Sequence, residues 1–189
     1  MYKSSNITVG NISIGYDSPI RIQSMTNTKT LNTDSTVSQI IQLVRAGSEL
    51  VRITTRSISE AKNIKLIKDE LRLLGVNVPI IADVHYSPTI AMIAAKFADK
   101  IRINPGNFSG SNQSVDSNLL PLLKLCKENN TAIRVGVNQG SLSETILYKY
   151  GNTPKGMVES LLEFVRICKA NSFSNLILSV KASNVLTTI

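Results

Sequence analysis

Several residue types are scarce in this chain. Its 189 residues include no Trp, four Phe, five Tyr, two Cys and one His. So few rings argue against a surface that stacks nucleic-acid bases. The two cysteines, Cys126 and Cys168, have no second Cys or His at metal-ligand spacing, so neither a disulfide framework nor a metal site is expected.

Long apolar runs are also missing. No stretch approaches the roughly 20 apolar residues that cross a bilayer, and the first six residues are followed by a short alternating segment instead of an apolar signal core. We therefore expect a globular protein of the cytoplasm, or of a plastid-like compartment in a eukaryote, without a membrane partner.

Acidic residues are outnumbered by basic ones, 13 to 21, which gives a formal net charge of +8. Many of the bases are scattered over a predicted helix face, as Lys62, Lys65 and Lys68 are. An anionic small molecule explains the charge better than nucleic acid does. A non-catalytic module that binds nucleic acid or another polyanion, with steep salt dependence, is the alternative from a different functional class.

Strand and helix patterns alternate along most of the chain. After a hairpin-like segment at residues 7–15, strands are predicted near residues 20–25, 50–54, 78–84, 100–104, 132–137 and 175–181. Helices are predicted near residues 35–46, 59–74, 88–97, 119–128 and 154–170. Parallel strands need long crossovers, so this order predicts an α/β fold with a parallel sheet covered by helices.

Polar side chains recur on one face of five of these strands. Alternation along a strand places the following residues on a common side: Arg52, Asp83, His85, Arg102, Asn104, Arg134, Asn138, Lys181 and Ser183. An open doubly wound sheet binds its ligand at one switch point, whereas a (β/α)₈ barrel gathers residues from many strand ends. The distributed face favours the barrel. Six strand-helix units do not complete it, so we expect residues 1–189 to be a truncated, N-terminal barrel domain.

Asp83 and His85 end one strand on the same side, and Pro88 begins the next helix. Such a carboxylate and imidazole can exchange protons or orient a ligand, so both are candidate catalytic residues. The structural alternative is that Asp83 pairs with a neighbouring arginine and His85 only packs. The position of the only histidine at a strand end favours function.

Two segments have the chemistry of anion sites. Residues 102–107 place an arginine before an Asn-Pro-Gly-Asn turn, and residues 134–141 repeat the design. Four cations, Arg52, Arg102, Arg134 and Lys181, are then expected to point inward against Asp83 alone. One acid cannot neutralise four bases, so an anion of more than one charge is predicted, and arginine suits phosphate oxygens.

The ordered segments resemble a known family. They are Gln23-Ser24-Met25-Thr26-Asn27-Thr28, Ala82-Asp83-Val84-His85, Arg102-Ile103-Asn104-Pro105-Gly106-Asn107, Arg134-Val135-Gly136-Val137-Asn138-Gln139-Gly140-Ser141 and Ser179-Val180-Lys181-Ala182-Ser183. Together they resemble 4-hydroxy-3-methylbut-2-enyl diphosphate synthases, the iron-sulfur oxidoreductases of the non-mevalonate isoprenoid pathway. The resemblance runs nearly end to end and in order.

The resemblance implies a barrel that holds 2-C-methyl-D-erythritol 2,4-cyclodiphosphate and a C-terminal domain with a [4Fe–4S] cluster. Reduced ferredoxin or flavodoxin would supply electrons that open the ring and remove a hydroxyl. The implied diphosphate-binding residues are Arg52, His85, Arg102, Arg134, Asn138 and Lys181, with Asp83 and Ser183 adjoining. Asn104, which lies within the matched segment, is added as a binding candidate.

The chain departs from the family in one respect. The family's cluster is held by three cysteines and a glutamate of the C-terminal domain, and Cys126 and Cys168 match none of these ligands. The family also forms dimers in which each barrel faces the partner's cluster domain, so a homodimer is expected only for a full-length protein. Activity of this chain alone is not expected. A pterin-diphosphate barrel of the dihydropteroate synthase kind is the second enzyme alternative.

Overall fold

A six-stranded parallel sheet organises the computed structural model, which describes residues 4–84, 87–108 and 115–188. A short antiparallel hairpin precedes it, formed by β1 (Ile7–Val9) and β2 (Ile12–Ile14). The parallel strands follow chain order and are β3 (Gln23–Met25), β4 (Leu50–Thr55), β5 (Ile80–Val84), β6 (Lys100–Ile103), β7 (Ala132–Asn138) and β8 (Leu176–Lys181). The predicted α/β barrel with six strand-helix units is confirmed.

Helices connect the strands and cover one face of the sheet. They are α1 (Thr33–Arg45), α2 (Ile58–Leu73), α3 (Pro88–Ala94), α4 (Pro105–Phe108), α5 (Val115–Glu128), α6 (Glu144–Tyr150), α7 (Pro154–Ala170) and α8 (Val185–Thr188), with a 3₁₀ turn at Gln139–Ser141. The α4, α6 and 3₁₀ segments were not predicted from the sequence. Each contains only three to seven residues, too few to show a helical period.

Local sequence fixes where the longer helices begin. Ser57 accepts a hydrogen bond from the Glu60 backbone and Glu60 bonds back, a capping box that starts α2. Thr153 caps α7, whose first residue is Pro154. Such caps satisfy backbone N–H groups that have no partner within the helix. The helices therefore start at defined distances from the strand ends.

The apolar core lies between the sheet and the helices. Val51 and Ile53 of β4, Ile101 of β6 and Val135 of β7 are fully buried on this outer face. They belong to one cluster with apolar residues of the helices, including the fully buried Ile64. The alternate residues of each strand face the other way, into the concave interior. Alternation thus separates packing from the polar site.

The hairpin closes the N-terminal end of the interior. Ile7 and Val9 form a second apolar cluster with Leu50, Ile81 and Ala132, which come from three strands. A hairpin can contact all of them only because the sheet curves around it. At the opposite edge of the sheet, Leu178 and Val180 on the outer face of β8 are 46% and 38% exposed. The curled sheet is therefore an open barrel with an uncovered last strand.

Candidate anion-binding site

Three arginines enter the interior from three strands of the sheet. Arg52 comes from β4, Arg102 from β6 and Arg134 from β7. Arg102 pairs in register with Asp83 of β5 on one side and with Arg134 on the other. Asp83, Arg102 and Arg134 therefore occupy one layer of the barrel. Adjacent strands lie about 4.8 Å apart, which brings like charges close together. The sequence prediction that these side chains share a face is confirmed.

Asp83 lies between two of the guanidinium groups. Its side chain is 2% exposed, and Oδ2 accepts a hydrogen bond from Arg52 Nη2 at 2.5 Å. Arg102 Nη1 lies 3.6 Å from Oδ1 of the same carboxylate. One buried acid thus holds two arginines in place. The sequence analysis gave this pairing of Asp83 with an arginine as the structural alternative to a catalytic role. His85 lies outside the described residues.

The other arginine contacts are neutral. Arg134 Nη2 donates to Ser179 Oγ at 2.8 Å, and Arg102 Nη2 donates to the Gly136 carbonyl at 3.5 Å. Gly136 leaves space for the guanidinium, because a Cβ there would lie 3.2 Å from Arg102 Nε. Arg52 Nε is buried and has no hydrogen-bond partner among the described residues. The site therefore keeps donor capacity for an anion.

Burial makes the guanidinium charges costly. It is the main cause that lowers the pKa of Arg102, where Arg52 adds to the effect and Asp83 opposes it. Burial also lowers the pKa of Arg134, with smaller contributions from Arg52 and Arg102. Arginine remains protonated despite such shifts. A buried cation surplus favours binding of a multiply charged anion, because the anion replaces the lost hydration.

Lys100 is a further interior cation that the sequence prediction missed. It is 3% exposed, and burial together with Arg134 and Arg52 lowers its pKa to about 8. Its Nζ donates to Gln23 Oε1 at 3.4 Å. Lys100 precedes Arg102 by two residues and therefore lies on the same face of β6. Counting every second residue back from Arg102 would have identified it.

Two predicted binding residues, Asn104 and Asn138, lie at C-terminal strand ends and form hydrogen bonds with loop residues. Buried Asn104 donates from Nδ2 to Ser141 Oγ at 2.7 Å, and its Oδ1 accepts from the Gly106 backbone at 3.2 Å. The Asn138 carbonyl accepts from the same Ser141 hydroxyl at 3.3 Å. These bonds join the loops after β6 and β7. A direct contact of Asn104 or Asn138 with a ligand stays a prediction.

The remaining predicted residues lie at the end of the edge strand β8 and just after it. Lys181 is in register with Asn138 and therefore lies on the interior face, yet it is exposed. Ser183 is exposed as well, and its backbone N–H donates to Gln139 Oε1 at 3.4 Å. Lys181 thus has the expected interior direction but is exposed, whereas Lys100, which the sequence prediction did not include, is the buried lysine of the interior. Lys181 and Ser183 form the rim of the site.

The comparison with family models decides the relationship. Residues 4–189 match the model described as the GcpE TIM-barrel domain. The chain belongs to the GcpE family. The match covers nearly the whole chain and agrees with the six parallel strands and their covering helices.

Curated GcpE relatives are considerably longer than this chain. A protein of Bacteroides thetaiotaomicron named 4-hydroxy-3-methylbut-2-en-1-yl diphosphate synthase (flavodoxin) is 44% identical over 99% of this chain and 33% of its own length. A protein of Synechococcus sp. (strain CC9902) with the same name but (ferredoxin) is 47% identical over 94% of this chain and 49% of its own length. The chain thus spans between a third and a half of these relatives.

Two solved structures have a fold similar to that of this chain at low sequence identity. The 7,8-dihydropteroate synthase of Vibrio fischeri ES114 has a TM-score of 0.61 at 18% identity, and covers 93% of this chain and 66% of its own. The DAHP synthase of Thermotoga maritima has a TM-score of 0.57 at 14% identity, and covers 93% of this chain and 45% of its own. These similarities show a shared barrel architecture, and the family match does not favour the pterin alternative.

The described GcpE residues do not fit an iron-sulfur cluster. Cys126 on α5 and Cys168 on α7 are buried, and burial raises the pKa of their thiols to about 12 and about 11. Across residues 4–84, 87–108 and 115–188, no three His, Cys, Asp or Glu side chains group to hold a metal ion. Within the same residues, no helix is long and apolar enough to span a membrane.

Proposed function

We propose that this chain is the substrate-binding barrel of a 4-hydroxy-3-methylbut-2-en-1-yl diphosphate synthase, and that its interior binds the diphosphate of 2-C-methyl-D-erythritol 2,4-cyclodiphosphate. The observation that carries this proposal is the set of three interior arginines, Arg52, Arg102 and Arg134, close to the buried carboxylate of Asp83. The printed names of the relatives supply the enzyme class.

The geometry assigns distinct tasks to these side chains. Arg102 and Arg134 are register partners on adjacent strands, so two phosphate groups of one ligand can each meet a guanidinium. Asp83 holds Arg52 and Arg102 and is a positioning residue in this arrangement, while Ser179 holds Arg134. A ligand then meets cations already fixed in place, which lowers the entropic cost of binding. Proton transfer by Asp83 and His85 stays a prediction.

Further properties belong to the same proposal. The described residues offer binding and orientation, so the cluster that supplies electrons in the family would be held by other parts of a full-length protein. We propose flavodoxin or ferredoxin as the electron donor, since the relatives' names give one or the other. A homodimer of the full-length protein and a cytoplasmic location complete the proposal.

Calorimetric titration of the purified chain with the cyclodiphosphate tests the site. Arg102→Ala and Arg134→Ala should each raise the Kd at least about tenfold, which is roughly 1.4 kcal/mol. That threshold is conservative for charge-assisted hydrogen bonds worth about 1.5–3 kcal/mol. The matched control is Arg72→Ala, because Arg72 is 67% exposed on α2 and its loss changes the net charge equally.

Four results would count against the proposal. Equal affinities for wild type, Arg102→Ala and Arg134→Ala would show that these arginines do not bind the ligand, provided that circular dichroism shows each variant folded. An equal loss in Arg72→Ala would indicate a general charge effect. Tight binding of duplex DNA that weakens steeply with salt and ignores Arg102 would support the polyanion module instead, and tighter binding of a pterin diphosphate would support the dihydropteroate synthase alternative.

A further inference from the structure

Lys100 crosses the floor of the open barrel. It begins β6, yet its Nζ donates to Gln23 Oε1 of β3 at 3.4 Å, and two strands separate β6 from β3 in the sheet. The side chain therefore spans the concave interior. Its backbone lies one residue pair below the layer of Arg102 and Arg134, on the side of the apolar cluster that contains Ile81 and Ala132.

The surroundings of Lys100 are cationic. Arg52 of β4 and Arg134 of β7 both disfavour its protonation, and Arg102 follows on its own strand. The acid on β5, Asp83, contacts Arg52 and Arg102. The part of the chain that the structure describes places no carboxylate within ion-pair distance of Lys100 Nζ. Gln23, its hydrogen-bond partner there, is neutral.

We propose that Lys100 is the deepest contact of the bound anion and takes up a proton when the anion binds; this proposal rests on the proposed function. An ammonium has three N–H donors, and Gln23 accepts only one. A dianion among the guanidinium groups offsets their repulsion of the amine and supplies acceptors for the other two donors. Both effects favour the charged amine in the complex.

The protonation state before binding makes the uptake measurable. Burial and the two neighbouring arginines lower the pKa of Lys100 to about 8, so the amine is half neutral near pH 8 in the empty site. A cyclodiphosphate keeps two negative charges at neutral and alkaline pH, because each phosphorus carries one strongly acidic hydroxyl. The thiols, with pKa values raised to about 12 and about 11, do not interfere.

Titration of the purified chain in two buffers of different ionisation enthalpy measures the uptake. At pH 8 we expect wild type to gain about half a proton per bound cyclodiphosphate. Its Kd should be nearly constant from pH 6.5 to 7.5 and rise towards tenfold per pH unit above pH 8.5. Lys100→Met should lose both the uptake and this rise, and bind at least about thirtyfold more weakly at pH 7, the factor that an uptake of half a proton implies. Lys100→Gln is the second variant if Lys100→Met does not fold.

Lys100→Arg provides a charged control. A guanidinium stays protonated, so this variant should bind at pH 7 without the rise in Kd above pH 8.5. Wild-type binding without proton uptake at pH 8, or an unchanged pH profile in Lys100→Met, overturns the Lys100 proposal and leaves the proposed function intact. If sulfate binds with uptake that needs Lys100 and the cyclodiphosphate does not bind, the proposed substrate is wrong, and the proton uptake belongs to a site for a smaller dianion. Binding of neither anion overturns both.

Discussion

Asp83 is the residue whose loss should disturb the empty site most. Asp83→Asn keeps the shape of the side chain but removes the charge that faces Arg52 at 2.5 Å and Arg102 at 3.6 Å. Removing one partner of a buried ion pair costs about 3–5 kcal/mol, because the remaining charges stay buried without compensation. The arginine side chains are 23% and 12% exposed, so water screens part of this cost. We expect a loss of about 3 kcal/mol.

Urea unfolding followed by far-ultraviolet circular dichroism, in a buffer free of multivalent anions, measures this loss. The matched control is Asp69→Asn, since Asp69 also contacts two cations, Lys65 at 2.6 Å and Arg72 at 3.3 Å, but is 40% exposed on α2. The control should change stability little. Added sulfate should stabilise Asp83→Asn more than wild type, because the variant has one more uncompensated cation. Equal stability of the two variants would refute the reasoning.

Two glycine substitutions test the packing of the loops and of the arginine layer. A Cβ on Gly106 would lie 1.6 Å from the Ser141 carbonyl oxygen, so Gly106→Ala should cost about 3 kcal/mol in urea unfolding. Gly140→Ala, with nothing within 4 Å of its Cβ, is the control, and equal losses would contradict the close approach of the loops. Gly136→Ala should displace the Arg102 guanidinium and weaken cyclodiphosphate binding about threefold, while stability changes by less than about 1 kcal/mol. Unchanged affinity in the calorimetric titration would show that this guanidinium does not contact the ligand.

The interior arginines could be predicted because a strand has a period of two and the sheet is parallel. Arg102 and Arg134 each stand between buried apolar neighbours, so their direction follows from the pattern alone. Lys100 lies on the same face as Arg102, but it is the first residue of β6 and the residue before it, Asp99, is not apolar. Its hydrogen bond to Gln23 depends on the curvature of the sheet, which no local pattern contains.

The loops limited the sequence prediction in a different way. Strand alternation predicts that Asn104 contacts the ligand, which stays a prediction, but its bonds to Ser141 and the Gly106 backbone could not be foreseen from the sequence. A conformation of this kind depends on a contact between two loops that are 37 residues apart in the chain. The Asn-Pro-Gly-Asn turn likewise contains the first residues of α4, because turns and single helical turns have similar sequences.

The reactivity of the two buried thiols reports how often the outer helical layer opens. Cys126 lies on α5 and Cys168 on α7, both in the main apolar cluster, and the pKa of each is raised by burial. Alkylation requires the thiolate, so these residues react only when the covering helices separate from the sheet. The rate of alkylation by an added reagent therefore reports how often the helical layer opens, without any engineered cysteine. A ligand bound among the arginines lies on the opposite face of the sheet. It can lower the alkylation rate only by holding the strands together.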